Sequence, residues 1–421
     1  MKLPDRKIIC IDLRSFFASV ECADAGLDIY KVPLVVADKS RGEGGITLAC
    51  TPYLKTLGAR ARCRIYELPK NVDIIFAKPR MARYVEISTK IVSIYLDYVS
   101  ENDLHIYSID EAFLDVTDYL NYYKMTAWEL AHTIQEDILK QTKIHSACGI
   151  GPNMLMAKLA LDLYSKTTRT GVEEWTYEDI EKKLWPIKPL SKVWGIGPRL
   201  EKRLNSMGIF SMYDLAHTPS ADLEKEFGIY GKQLYYHSHG IDFSTMKEKH
   251  EYVPKSSSIG HSQVLFHDHQ GDEVKPKILE LSDRVAKRMR KKGRVGTVIH
   301  LGISYSKSVG GGGFHRQVTI DYPTDSPNEI NKVCLELFDK HYDKESVIRK
   351  VSVSVGHLMN RDTIQMDLFG IQARYDRERK LLDAMDEIHE WYGKNAILRA
   401  SQFKDDATMR ERNKMIGGHS A

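Results

Sequence analysis

Apolar residues run unbroken from Ile8 to Ile11 and recur at helical spacing after Ser15, through Phe16, Phe17, Ala18 and Val20. This change of period predicts a buried strand leading into a helix, with Ser15 as its cap and Asp12 where one becomes the other. From about Arg80 to Tyr98 the positions Tyr84, Ile87, Ile91, Ile94, Tyr95 and Tyr98 form a stripe near helical spacing, which predicts a helix packed on a core. The stretch "WELAHTIQEDILKQT" predicts a second helix, "IHSACGIG" a strand and "NMLMAKLALDLYSK" a third helix. Between them lies "HIYSIDEAFLDVTDY", His105 to Tyr119, where Ile106, Tyr107 and Ile109, and then Phe113, Leu114 and Val116, favour strands. Two strands meeting near Asp110 and Glu111 put both carboxylates at a bend that exposes them together. Helices and strands mixed in this order predict an α+β fold in which the helices cover one face of a sheet.

From Pro189 the texture becomes "PLSKVWGIGPRLEKRLNSMGIFSMYDLA", in which two short helical patterns flank the turn Gly195-Ile196-Gly197. It resembles a helix-hairpin-helix, a module that offers backbone N–H groups to a DNA phosphate. Glycine lets the backbone approach closely, and such contacts position a protein without reading base sequence. A linker follows near "STMKEKHEYVPKSSS". The pattern then reads strand, helix, strand, strand, helix, strand to about residue 360, a two-layer βαββαβ domain. Inside it "VGGGGF", Val309 to Phe314, is a hairpin loop rather than a phosphate-binding loop, since it lacks GxxxxGK[ST] and a following helix.

Composition narrows the class without naming it. The chain has 421 residues, enough for several cores, and its 42% hydrophobic and 28% charged content is that of a globular protein. A formal net charge of +4 is too small to mark a nucleic-acid binder by itself. Local clustering does more: Lys287, Arg288, Arg290, Lys291, Lys292 and Arg294 have no acid among them and suggest a nucleic-acid surface. The six cysteines show neither a CxxC pair nor short Cys/His spacing, so no zinc site or disulfide framework is implied. No apolar run approaches the roughly 20 residues needed to span a bilayer. The chain reads as a reduced, cytoplasmic protein with no membrane partner.

Taken together, Asp12 after the first strand, "YSIDEAFLD", the Gly-Ile-Gly hairpin and the final βαββαβ domain resemble a Y-family DNA polymerase of the bacterial UmuC-like kind, in the right order over about the first 360 residues. The resemblance implies a multidomain α+β right hand. Its palm is 1–29 and 78–165, its fingers 30–77, its helix-hairpin-helix thumb 166–240 and its little finger 250–360, with 361–421 as a C-terminal tail. It also implies two Mg²⁺ ions for nucleotidyl transfer, held by Asp12, Asp110 and Glu111 with the Leu13 carbonyl. Ser15, Phe16 and Phe17 would meet the triphosphate through their backbone, Lys55 and Lys166 would clamp it, and Phe17 would exclude a ribose 2′-hydroxyl. Adjacent helical positions lie about 100° apart, so Phe16 and Phe17 cannot face the core equally.

The sequence departs from the family at "TPYLKTLG", with Pro52 and Lys55 where the fingers often show a Tyr shortly before an Arg, and at Arg14 and Phe17. Primer-template DNA, deoxynucleoside triphosphates and accessory proteins of the damage response are the implied partners, in error-prone lesion bypass without proofreading. Gln365, Leu368 and Phe369 in "QMDLF" resemble the short peptide that bacterial polymerases insert into the sliding clamp. Two rival readings are a catalytically silent DNA- and clamp-binding scaffold, which loss of any of the three carboxylates would favour, and a nucleotidyl cyclase, which needs neither hairpin nor basic domain.

Overall fold

The computed structural model describes residues 3–166, 168–251, 257–361, 371–403 and 407–420. They form two compact units, one through Tyr252 and one from Val253. The first contains, in chain order, β1 (Ile8–Leu13), α1 (Phe16–Asp24), β2 (Leu34–Val36), β3 (Ala49–Cys50), α2 (Pro52–Thr56), β4 (Ile75–Ala77), α3 (Met81–Leu96), β5 (Leu104–Ile106), β6 (Glu111–Asp115), α4 (Leu120–Tyr123), α5 (Ala127–Thr142), β7 (Ser146–Gly151), α6 (Met154–Ala160) and β8 (Val172–Glu174). Then come α7 (Pro198–Ser206), α8 (Met212–Ala216), α9 (Ser220–Phe227), α10 (Ile229–Ser238) and α11 (Met246–Glu251).

A five-stranded sheet of order β5-β6-β1-β7-β8 carries this unit, with β1 antiparallel to both its neighbours. Side chains alternate across β1. Ile9 and Ile11 enter a core shared with α1, α3 and α5, whereas Ile8 and Cys10 pack with Ala157 and Leu161 on the opposite face. The sequence pattern predicts helices on one face only, yet both faces are covered. The reason is legible in β1 and β7, which are buried along nearly their whole length and so have no wet face. Gly149 permits the second layer: a Cβ there would lie 2.1 Å from the Ala157 carbonyl oxygen, so α6 rests directly on the strand backbone. Past α6 the helix widens into one π turn, Leu161–Ser165, before Lys166.

Two further cores belong to the same unit. The small sheet β3-β2-β4 packs Val35, Cys50, Leu54, Ile65 and Leu68 together. The helices from α7 to α10 gather Trp175, Leu190, Ile196, Leu204, Leu215 and Leu234. The first helix expected of the hairpin motif is a single 3₁₀ turn, Leu190–Lys192, because Pro189 and the left-handed Gly195 leave room for no more.

The second unit follows the expected order: β9 (Ser258–His269), α12 (Lys275–Lys291), β10 (Arg294–Tyr305), β11 (Gly313–Thr324), α13 (Pro327–His341), β12 (Ile348–Asn360). Its antiparallel sheet runs β11-β10-β12-β9, so β12 inserts between the two strands that α12 connects. The hairpin from β10 to β11 turns through Gly310 to Gly313, whose φ values of 90°, 74°, 92° and 133° explain the glycine run.

The tail, for which the sequence offers no structural assignment, contributes α14 (Ile371–Tyr392) and α15 (Met409–Arg412) to this unit. Its side chains reach α12: Asp386 lies 2.8 Å from the Arg290 guanidinium and 3.4 Å from Lys287, Glu390 lies 3.6 Å from Lys291, and Arg399 lies 3.0 Å from Asp283. The basic cluster is therefore not one free surface. Arg290 is only 6% exposed, Arg288 donates to the Gly260 carbonyl at 2.6 Å, and Lys292 and Arg294 alone stand exposed without such partners beyond the helix end. The four cations that α12 carries from Lys287 to Lys291 are spread around its axis, so some necessarily face a neighbouring layer. Gln365, Leu368 and Phe369 lie outside the described residues. Among the described residues no helix is long and apolar enough to cross a membrane.

Candidate active site

Alternation along β1 carries Asp12 to the α6 face, after Ile8 and Cys10. It stands in register opposite Glu111 on β6, and the Leu13 N–H bonds the Asp110 carbonyl at 2.8 Å. Asp12 and the distant pair Asp110 and Glu111 thus meet at one end of two adjacent strands. The expected bend between β5 and β6 is present, closed by the Tyr107 and Ser108 N–H groups, both 3.0 Å from the Glu111 carbonyl.

The bend does not expose both acids together. Glu111 is 9% exposed; its Oε1 lies 2.5 Å from the Lys158 ammonium and accepts from the Cys10 thiol at 3.3 Å. Asp110 instead accepts from the Ser108 hydroxyl at 2.6 Å. Lys158 is 3.0 Å from Asp162, Asp162 is 3.5 Å from Lys166, and Lys166 is 3.3 Å from Asp12. Acids and ammoniums therefore alternate along one row of the α6 helix and its π turn, against the strand ends.

Sequence reasoning picked out Lys166 and missed Lys158. The overlooked signal is the spacing of Lys158, Asp162 and Lys166, which puts all three on one helical face. Arg14, singled out in the sequence only as a departure from the family, has a structural role: its guanidinium donates to the carbonyls of Lys166 at 3.3 Å and Ser165 at 3.5 Å, tying the end of the helix to β1.

The site carries repulsion among its acids. Burial raises the Asp12 carboxyl above the usual range, Asp110 and Glu111 add to the rise, and Lys166 opposes it. Burial works against the charge of Lys158, but the Glu111 hydrogen bond and Asp162 outweigh it and hold the ammonium above its usual value. Burial also lowers Lys55, with Lys166 adding to the effect. Clustered hard oxygen donors that disfavour one another's charge suit divalent cations, so Asp12, Asp110 and Glu111 fit the expected Mg²⁺ by chemistry. With Glu111 turned to Lys158 and Asp110 to Ser108, no three carboxylate, His or Cys side chains among the described residues converge on one metal-sized point.

At the start of α1, Ser15 has φ 48° and ψ 43°, and its hydroxyl does not cap the helix as expected. A cap requires an extended backbone, which the left-handed turn denies it. The hydroxyl accepts instead from Lys55 at 2.9 Å, which joins two residues that the sequence selects for one ligand. Phe16 is buried, whereas Phe17 is only half-buried, its ring 4.9 Å from that of Tyr84. In the hairpin, Ile196 enters the helical core while Gly197 starts α7 with no atom within 4 Å of where a Cβ would stand. Trp194 donates to the Tyr107 hydroxyl at 3.2 Å, linking the hairpin to the carboxylate bend, a contact invisible in sequence.

Residues 11–162 match the impB/mucB/samB family, residues 256–368 match that family's C-terminal domain, and residues 177–209 match the IMS family HHH motif. A Bacillus subtilis (strain 168) protein named for UV-damage repair, UvrX, is 40% identical over 100% of this chain and 99% of its own. A DNA polymerase IV 2 from the same organism is 31% identical over 99% of each chain. Among solved structures, a Y-family DNA polymerase chimera of Dbh and Dpo4 superposes with a TM-score of 0.66 at 22% identity, covering 84% of this chain and 99% of its own, so the fold is shared. With three family models matched in order and relatives aligned end to end, the chain belongs to the impB/mucB/samB family of Y-family DNA polymerases.

Proposed function

We propose that Asp12, Asp110 and Glu111 form the nucleotidyl-transfer centre of this DNA-directed DNA polymerase, which carries out error-prone translesion synthesis in DNA repair. The observation carrying this reading is the register of Asp12 against Glu111, with Asp110 bonded through its backbone to Leu13. The reaction joins the α-phosphate of a deoxynucleoside triphosphate to a primer 3′-hydroxyl and releases pyrophosphate. Two Mg²⁺ ions, held by the three carboxylates and the Leu13 carbonyl, would supply charge stabilisation at the attacking and leaving oxygens. Lys55 and Lys166 contribute positive charge toward the triphosphate, and Arg14 keeps Lys166 in place through the carbonyls it grips. The uncapped N–H groups at the start of α1 around Ser15, Phe16 and Phe17 add an anion-binding helix terminus.

On this reading residues 1–29 and 78–165 are the palm, 30–77 the fingers, 166–240 the thumb and 250–360 the little finger. Gly195, Ile196 and Gly197 contact a DNA phosphate through their backbone. Lys292 and Arg294, with Arg288, offer more to DNA than Lys287, Arg290 and Lys291, which α14 engages. The silent-scaffold reading is weaker because all three carboxylates are present. Primer extension by the purified protein tests the choice, and absence of any incorporation with Mg²⁺ and primer-template would favour the scaffold.

Two consequences concern substrate and partner. Phe17→Ala is expected to raise ribonucleotide incorporation relative to deoxyribonucleotide, because a half-buried ring beneath the sugar blocks a 2′-hydroxyl. The kcat/KM ratio for the two sugars measures it, and an unchanged ratio returns Phe17 to the core. The segment holding Gln365, Leu368 and Phe369 is expected to bind a bacterial sliding clamp as a peptide at roughly micromolar affinity, with the two apolar side chains as anchors. Leu368→Ala with Phe369→Ala then removes clamp-stimulated synthesis and spares clamp-independent extension. A full response to the clamp by that double variant would reduce the segment to a linker.

A further inference from the structure

The tail closes a cavity of about 350 Å³ over α12 in the second unit, away from the carboxylate centre in sequence and separate from the βαββαβ sheet's own core. Its lining is strongly cationic and includes Arg284 of α12 and Arg412 of α15, with His261 of β9. Met385, Ile397 and Leu398 add aliphatic and thioether surface to the same lining.

The acids in the wall are already engaged, Asp283 by Arg399 at 3.0 Å and Asp386 by Arg290 at 2.8 Å. Glu280 acts electrostatically on both Arg284 and Arg412, but its oxygens accept from the Thr408 and Met409 N–H groups and the Thr408 hydroxyl. Among the described residues the Arg284 guanidinium hydrogen-bonds neutral groups, the Met409 sulfur at 3.4 Å, the His261 ring at 3.4 Å and the Asn413 side-chain amide oxygen at 3.2 Å. Burial and the repulsion of Arg284 push Arg412 down to about 10. Burial together with Arg284, Arg412 and Arg288 pushes His261 down to about 4, so the imidazole is neutral at pH 7 while both guanidiniums remain charged. Among the described residues Glu280 is the one acid acting on both guanidiniums, and its oxygens are already taken up by Thr408 and Met409, so the two partly buried charges facing one cavity favour the arrival of an anion.

We propose that this cavity is a recognition site for an acidic peptide carrying a large apolar side chain, its carboxylate seated on Arg284 and Arg412 and its apolar group against Met385, Ile397 and Leu398. Charge complementarity selects the acid, since a guanidinium fork matches a carboxylate. The apolar part of the lining selects against inorganic anions. The flexible methionines suit an inserted side chain, and among the described residues the lining holds no Phe, Tyr or Trp on which a nucleic-acid base could stack. The volume admits one or two side chains rather than a folded domain.

The test uses the full chain and a short fluorescein-labelled peptide alternating Asp and Glu with Leu and Phe, read by fluorescence anisotropy. Saturable binding is expected, weakened at least about tenfold by Arg284→Gln with Arg412→Gln. A second variant, Met385→Ser, leaves the charge of the cavity unchanged and is expected to weaken binding through the apolar contact alone, so a folding defect in the first variant does not leave the question open. Replacing Leu and Phe of the peptide by Ser should abolish binding. No saturable binding, undiminished binding by both variants, or equal binding of the Ser peptide overturns the proposal. Tighter binding of a single-stranded DNA oligomer at the same residues, or full competition by inorganic phosphate at the peptide's own affinity, overturns it too.

Discussion

Asp110→Ala and Glu111→Ala are each expected to lower primer extension by about a thousandfold or more, near 4 kcal/mol of transition-state stabilisation, while primer-template affinity stays within a few-fold. The separation follows from the residues involved. The carboxylates sit at the ends of β1 and β6, whereas the hairpin and exposed basic residues that would grip phosphate are other groups. DNA affinity itself should fall steeply with salt, as counterion release demands. Gel-based extension and anisotropy on the same preparations measure both quantities, and wild-type extension by either variant would end the assignment.

A second large effect is expected from Lys158→Met, this time on stability. Lys158 and Glu111 are 8% and 9% exposed and 2.5 Å apart, so removing the ammonium leaves a nearly buried carboxylate with only a thiol donor and the distant charge of other groups. Breaking such a pair from one side costs about 3–5 kcal/mol, far above the 0–1 kcal/mol of an exposed pair. Adding Glu111→Gln to Lys158→Met should recover much of that loss, since the uncompensated charge goes with it. Urea denaturation of the single and double variants measures the difference. A Lys158→Met protein within about 1 kcal/mol of wild type would mean that water reaches Glu111 as readily as it reaches a surface acid.

The strand-forming runs beside Asp12, Asp110 and Glu111 made their place at strand ends legible, whereas their role as one centre came from the resemblance and not from the strand pattern. The βαββαβ order was legible in the pattern itself, each period being long enough to distinguish helix from strand. Lys158 was not, although it touches Glu111: its importance depends on α6 lying against the sheet, which Gly149 and Gly151 permit and no helical periodicity reveals. Ser15 has the side chain of a cap, but its backbone is left-handed, and composition does not encode φ. The basic run of α12 invited a nucleic-acid reading because its partners, Asp386 and Glu390, come from a tail far along the chain. Local charge reports on surface only until a later segment folds over it.

Rapid-quench incorporation of a single deoxynucleotide, at saturating primer-template and Mg²⁺, tests the central claim most directly when wild type is compared with the near-isosteric Asp110→Asn. That substitution removes one negative oxygen donor with almost no change of shape, and its DNA dissociation constant can be taken from the same titration. The account predicts a single-turnover rate lower by about a thousandfold with DNA affinity within a few-fold. A rate within tenfold of wild type would place nucleotidyl transfer elsewhere than at Asp12, Asp110 and Glu111.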